Sequence, residues 1–141
     1  MPPVARATIG ALLCAVQAAP AFADGDRKKG QALAEKHCAR CHVIGEYNKF
    51  GGLGSTPSFQ LLAGLEDGMT RFQSFYERRP HPAFVTVPGV PKWSKAKPYA
   101  IPFTVTPETI DDLMTFVKTL ERKTLLGIPV GRARGRRMRT R

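Results

Sequence analysis

A chain of 141 residues with 43% hydrophobic content leaves room for one small globular domain. Its formal net charge of +11 would suit a nucleic-acid-binding protein if the charge lay in the folded part. However, fifteen of the 22 basic residues and all 11 acidic residues lie in residues 24–131, which leaves that part a net charge of only +4. The charge pattern therefore predicts no nucleic-acid partner.

Residues 1–23 have the features of a bacterial secretory signal peptide. Arg6 supplies the positive charge, residues 7–19 form an apolar run, and Ala21-Phe22-Ala23 is a cleavage site of the A-x-A type. The run is shorter than the ~20 apolar residues that span a bilayer. We predict cleavage after Ala23 and a periplasmic mature chain beginning at Asp24, so that Cys14 is removed with the signal peptide.

Residues 24–37 have the pattern of a helix, with Asp24 or Asp26 as N-cap, which leads directly into Cys38-Ala39-Arg40-Cys41-His42. Cys-x-x-Cys-His is the attachment pattern of c-type haem. Residues three apart share a helix face, so both sulfurs can reach the two vinyl groups of one porphyrin, and His42 then falls under the iron. We predict one covalent haem c, bound by Cys38 and Cys41, with His42 as the ligand of its iron.

Two other interpretations of the cysteine pair are weaker. A closed zinc site usually needs four protein ligands, and the mature chain has no second pair of cysteines. A thioredoxin-like dithiol would be expected beside a βαβ pattern, whereas this region has the pattern of helix and loop. Export also favours haem, because bacterial c-type haem is attached outside the cytoplasm, where free thiols would otherwise form disulfides.

Shorter elements are predicted after the motif. The glycine-rich residues 45–57 indicate a loop at the haem edge, and residues 58–64 a short apolar helix. A third helix is predicted over residues 71–79 with Thr70 as its cap, and it would carry Phe72, Phe75 and Tyr76 on one face.

The second half of the chain combines an irregular segment with a strong helix signal. Residues 80–107 contain seven prolines and predict a long surface segment, in which Trp93 and Tyr99 cover a haem edge or donate to a propionate. A last helix is predicted with Thr106 as N-cap and Pro107 at its first position. Its apolar stripe consists of Ile110, Leu113, Met114, Val117 and Leu120.

From Asp24 to about Arg122 the sequence resembles a class I c-type cytochrome, a bacterial, exported monohaem protein. The resemblance rests on the haem motif behind a helix that contains Gly30, on Thr56-Pro57-Ser58-Phe59, and on the last helix. It implies an all-α fold of three to five short helices around one haem, with residues 24–124 as the domain. It also implies that Gly30 faces Phe116 where the first and last helices cross, and that the carbonyl near Pro57 accepts a hydrogen bond from His42.

The resemblance further implies transfer of single electrons between redox partners rather than enzymatic catalysis. One departure affects this expectation. Such cytochromes carry a Met before the last helix as the sixth iron ligand. This sequence can be aligned with that position in two ways, which place either Phe84 or Ile101 where the Met should be, and neither side chain can bind iron. Ligand chemistry leaves two equally favoured predictions for the sixth coordination position of the iron: it is open or weakly filled, or His81 binds there. Met69 is a less favoured candidate. An open position gives the alternative function, a small-ligand binder or peroxidase-like enzyme.

Partner predictions follow from the charges. Lysines on the body favour redox partners that are acidic at the contact surface. In an alternative interpretation, which differs only in the partner, the protein is a subunit docked on a dehydrogenase through the proline-rich residues 84–102. Residues 125–141, with six arginines, predict a disordered basic tail. The tail is either solvated without a specific role, or it binds anionic membrane lipids or an acidic partner.

Overall fold

The fold is described from a computed structural model over residues 25–124; the predicted signal peptide and basic tail lie outside the described residues. Four α-helices are present there: α1 (Arg27–Leu33), α2 (Phe59–Gly64), α3 (Gly68–Gln73) and α4 (Pro107–Lys118). Two short strands, β1 (Val85–Thr86) and β2 (Phe103–Thr104), pair in parallel, with Val85 opposite Phe103. Short 3-10 turns occupy Phe75–Glu77 and His81–Ala83. The predicted all-α class with three to five short helices is confirmed.

The crossing of α1 and α4 brings two backbones into contact at a glycine. Gly30 is buried, and a Cβ atom there would collide with the backbone oxygen of Asp112. The N-cap of α1 is Asp26, whose backbone N–H also donates to the Asp112 carboxylate. The predicted close approach of the two helices at Gly30 is therefore confirmed, and the atoms that Gly30 meets belong to the backbones of Asp112 and Leu113. Phe116, the predicted aromatic of α4, is buried in the core, and its direct contact with Gly30 stays a prediction.

The first helix changes its winding as it reaches the haem motif. Beyond Leu33 it continues as a π-helical turn, Ala34–Cys38, and the Ala39 N–H donates to the Ala34 oxygen over 3.2 Å. Such wider turns are rare and often occur at functional sites. The predicted helical extent is correct, but the sequence did not reveal the change in winding.

The last helix forms as its sequence signals indicate. Thr106 caps α4 and exchanges hydrogen bonds with Thr109, and Pro107 occupies the first turn. The core side of α4 buries four side chains, and two further residues of the predicted stripe, Met114 and Leu120, are partly buried against the same core. The four are Ile110, Leu113, Phe116 and Val117.

Two predictions for the middle of the chain are wrong in part. The third helix starts at Gly68 rather than after Thr70 and ends at Gln73, because the chain continues as a 3-10 turn at Phe75–Glu77. Residues 80–107 do not form one surface segment. Its two ends enter the core through Pro82, Ala83, Phe84, Val85, Val87 and Val105, and only the middle runs over the surface. β-branched and aromatic residues at these ends outweigh the prolines.

Within residues 25–124 we find no helix with the length and apolar character that crossing a membrane requires.

The crossing at Gly30 predicts whether Gly30→Ala raises or lowers the free energy of unfolding. Helix propensity alone would make Gly30→Ala stabilising by about 1 kcal/mol. Because the added Cβ meets the backbone of α4, we expect the free energy of unfolding to fall by about 1–3 kcal/mol instead. Urea unfolding of the holoprotein measures it, with Ala32→Ser at an exposed position of α1 as control. A more stable Gly30→Ala variant would contradict the close crossing.

Candidate haem site

The two cysteines and His42 lie within one tight turn. The Cys41 N–H and the His42 N–H both donate to the Cys38 oxygen, over 3.0 and 2.9 Å. Cys38 and Cys41 are half-buried free thiols. Two thiols and an imidazole are thereby presented by five consecutive residues, and these are the donor types that c-type haem requires.

The His42 ring is oriented from its Nδ1 side. Nδ1 lies 2.8 Å from the Pro57 oxygen, so a proton on Nδ1 donates to that carbonyl and Nε2 is left as the ligand atom. The Phe59 ring packs its edge against His42 at a centroid distance of 5.5 Å, and the Phe59 N–H donates to the Val43 oxygen. Burial lowers the pKa of His42, while the Pro57 carbonyl acts in the opposite direction. The predicted hydrogen bond from His42 to the carbonyl of Pro57 is confirmed.

A side chain that the sequence analysis missed fastens the end of the motif. The Asn48 amide donates to the oxygens of Ala39 and His42, over 2.8 and 2.9 Å, and its own oxygen accepts from the Ile44 N–H. These bonds satisfy carbonyl groups at the point where the helical turn ends. Asn side chains often hydrogen-bond the nearby backbone in turns, so an Asn within the glycine-rich residues 45–57 was the available clue.

The loop after Asn48 returns to the motif. Gly52 has a φ of +76°, and a Cβ there would lie 3.1 Å from the Cys41 oxygen. The next residue, Leu53, donates its N–H to the same oxygen over 2.9 Å. A glycine is therefore required at position 52 both for its backbone angle and for this close approach.

The surroundings of Cys38 and Cys41 disfavour both the zinc and the dithiol interpretations. Burial, with a smaller effect of Cys41, raises the pKa of Cys38 to about 12, whereas reactive dithiols need a lowered pKa. No group of three or more His, Cys, Asp or Glu side chains able to hold a metal ion gathers in the part of the chain that the structure describes.

The candidate sixth ligands lie in different surroundings. His37, which adjoins Cys38 in the sequence, has its ring stacked on the Phe103 ring, with centroids 4.2 Å apart. Met69 is in α3 and packs, partly buried, against the core. The His81 ring lies near the His42 ring, with centroids 6.1 Å apart.

Comparison with known proteins agrees with the geometry. The sequence model of the family "Cytochrome c" matches residues 27–121. The chain belongs to the cytochrome c family. No curated protein and no solved structure matches significantly. Proteins of this family bind haem c covalently, with its iron, and typically carry electrons.

The surface segment of this cytochrome c contains a basic aromatic cleft beside His81. The guanidinium of Arg79 lies 5.4 Å from the centre of the Trp93 ring, and the Tyr99 ring meets the Phe84 ring at 5.5 Å. A cleft of about 440 Å³ lies among Arg79, Trp93, Lys95 and Tyr99. The roles predicted for Trp93 and Tyr99, at a haem edge or a propionate, stay predictions.

Asn48 gives a prediction for stability. Asn48→Ala removes the donors of two carbonyl groups and the acceptor of one N–H, so we expect the free energy of unfolding to fall by about 1–3 kcal/mol. Denaturant unfolding of the holoprotein measures the loss. The neighbouring Lys49→Ala, which breaks an exposed ion pair with Glu46 and a contact with the exposed Phe50 ring, should change stability by less than about 0.5 kcal/mol. Equal losses in the two variants would contradict this role of Asn48.

Proposed function

We propose that this cytochrome c is an exported monohaem protein that carries single electrons between redox partners and is not an enzyme. In this proposal Cys38 and Cys41 hold the haem through thioether bonds, and His42 is the proximal ligand of the iron. The observation that carries the assignment is the hydrogen bond of 2.8 Å between His42 Nδ1 and the Pro57 oxygen, which leaves Nε2 as the nitrogen that can bind the iron. It does so within one turn of both thiols.

The residues of the motif have separable roles. Each thiol adds across one vinyl group, so that a carbon–sulfur bond forms, the thiol hydrogen goes to the other vinyl carbon, and no electrons are gained or lost. Pro57 and Phe59 fix the orientation of the His42 ring, as groups beyond the direct ligands usually do at metal sites. The bound haem supplies one-electron exchange at its iron.

Export follows from two sequence features that support each other. Residues 1–23 have the features of a cleaved signal peptide, and the motif needs reduced thiols and haem outside the cytoplasm. The arginines of residues 132–141 would add peripheral attraction to anionic lipid headgroups of about 1 kcal/mol per basic residue near the membrane.

The surface around His81 supports an acidic partner. Residues 78–106 contain five basic residues and no acidic residue. All five are exposed: Arg78, Arg79, Lys92, Lys95 and Lys97. The patch is predominantly basic, although Glu77 lies in one cleft with Lys92 and Asp67 lies near Arg78. A surface of this kind attracts an oppositely charged partner and accelerates encounter at low salt.

Covalent attachment is tested by haem retention. The full chain is exported in cells that express a c-type haem maturation system, and the purified protein is denatured in acid and extracted with solvent. We expect the wild type to keep its haem and Cys38→Ala with Cys41→Ala together to lose it. Cys14→Ala, in the predicted signal peptide, is the control and should keep it. Haem that is extracted from the wild type, or a wild type without haem, would overturn the assignment.

The basic patch is tested by the oxidation rate of the reduced protein with ferricyanide, an anionic reagent, in stopped flow. Reversing charge in Lys92→Glu with Lys95→Glu should slow the reaction on the order of tenfold at low salt. The difference should disappear near 1 M salt, where the Debye length is about 3 Å.

The matched control reverses the same charge on α1, in Lys28→Glu with Lys29→Glu. If both pairs slow the reaction equally, net charge rather than the patch controls the encounter.

A further inference from the structure

The rings of His42 and His81 lie close together, at a separation that suits a shared metal ion. Their centroids are 6.1 Å apart, and their planes lie within 8° of parallel. The two histidines are 39 positions apart in the sequence and come from separate parts of the chain, the haem motif and the 3-10 turn His81–Ala83. Folding brings them together.

The two rings are held in the same way. Nδ1 of His81 lies 3.0 Å from the Arg78 oxygen, as Nδ1 of His42 lies 2.8 Å from the Pro57 oxygen. Histidines that bind metals almost always donate their other ring N–H to a carbonyl or carboxylate. Each ring therefore has Nε2 as its available ligand atom.

The separation fits an iron between the rings. A metal–imidazole bond is about 2 Å long, and each nitrogen is roughly 1 Å from the centre of its ring, so two such bonds place the ring centres about 6 Å apart. The observed 6.1 Å agrees with that expectation, whereas rings in direct face-to-face contact would be closer.

Aromatic neighbours fix the position of His81. Phe75 meets its ring edge-on at 5.3 Å and 90°, and Phe84 does so at 5.8 Å and 61°. Both phenylalanines are buried, whereas the His81 ring is half-buried. Burial lowers the pKa of His81, with the Arg78 carbonyl opposing it, and His42 is close enough to lower the pKa further. The two phenylalanine rings therefore hold the His81 ring in place, while its hydrogen bond to Arg78 uses Nδ1 rather than Nε2.

Other strong ligands in the described residues are engaged elsewhere. His37 stacks on Phe103, and Met69 and Met114 pack against the core from α3 and α4. Among the ring contacts recorded for residues 25–124, His42 meets only Phe59 and His81.

We propose that His81 Nε2 is the second axial ligand of the haem iron, so that this chain uses His42 and His81 where class I cytochromes c use a histidine and a methionine. The proposal rests on haem attachment at Cys38 and Cys41. A filled sixth position makes the protein a closed electron carrier and removes the basis for the small-ligand or peroxidase-like alternative. Because a methionine ligand raises the reduction potential, the His81 ligand sets a lower one.

Carbon monoxide binding and spin state test the proposal on the exported holoprotein. We expect the ferric wild type to be low-spin by electron paramagnetic resonance and the absorption of the ferrous wild type to be unchanged under carbon monoxide. His81→Ala should bind carbon monoxide readily, and added imidazole should restore the wild-type absorption spectrum. Met69→Leu is the control and should keep the wild-type spectrum and potential.

A second variant keeps the test decisive if His81→Ala does not accumulate. His81→Met retains a ligand of similar reach, and its potential should be higher than that of the wild type. A wild type with covalent haem that binds carbon monoxide readily, or a spectrum unaffected by both His81 variants, would overturn the proposal while leaving haem attachment intact. A wild type without covalent haem would overturn the proposed function as well.

Discussion

The hydrogen bond between the His42 ring and the Pro57 carbonyl is the interaction on which the site depends. It joins the haem motif at the end of the first helix to the loop that begins α2, over 2.8 Å. Without it the imidazole could rotate about its side-chain bonds and present either nitrogen. With it, Nδ1 is engaged and Nε2 remains, which in our proposal is the nitrogen that binds the iron. Phe59, two residues after Pro57, further restricts the rotation of the His42 ring by packing against it.

Around this bond the chain forms two supports. On one side, the crossing at Gly30 lets α1 and α4 touch backbone to backbone, so the helix that leads into the motif is held along its length. On the other side, Asn48 and Gly52 fold the following loop back onto the motif. A small domain buries little apolar surface in its own core and gains little stability from it. A haem held by these two supports would add a large apolar surface against which the core can pack.

Local signals explain which parts could be predicted from the sequence. The Cys-x-x-Cys-His spacing and the Thr106-Pro107 start of α4 each act within a few residues, so their consequences were visible. The crossing at Gly30 reaches Asp112, far along the chain, and it was expected because a glycine is costly inside a helix and because the family resemblance implies a close crossing there. The ends of residues 80–107 were misplaced because burial of Phe84 and Val85 depends on residues far along the chain. His81 could be named as one candidate among several, but only the folded chain shows that its ring lies opposite His42. Asn48 was missed because its partners are backbone carbonyls, which carry no signal of residue type.

The central claim is that one iron sits between the nitrogens of His42 and His81. X-ray absorption at the iron K-edge of the wild-type holoprotein tests it most directly, because the scattering distinguishes nitrogen from sulfur and counts the ligands. The account predicts six nitrogen neighbours at about 2 Å, four from the porphyrin and two from imidazoles. A sulfur neighbour at about 2.3 Å or longer, or only five nitrogen neighbours, would contradict it.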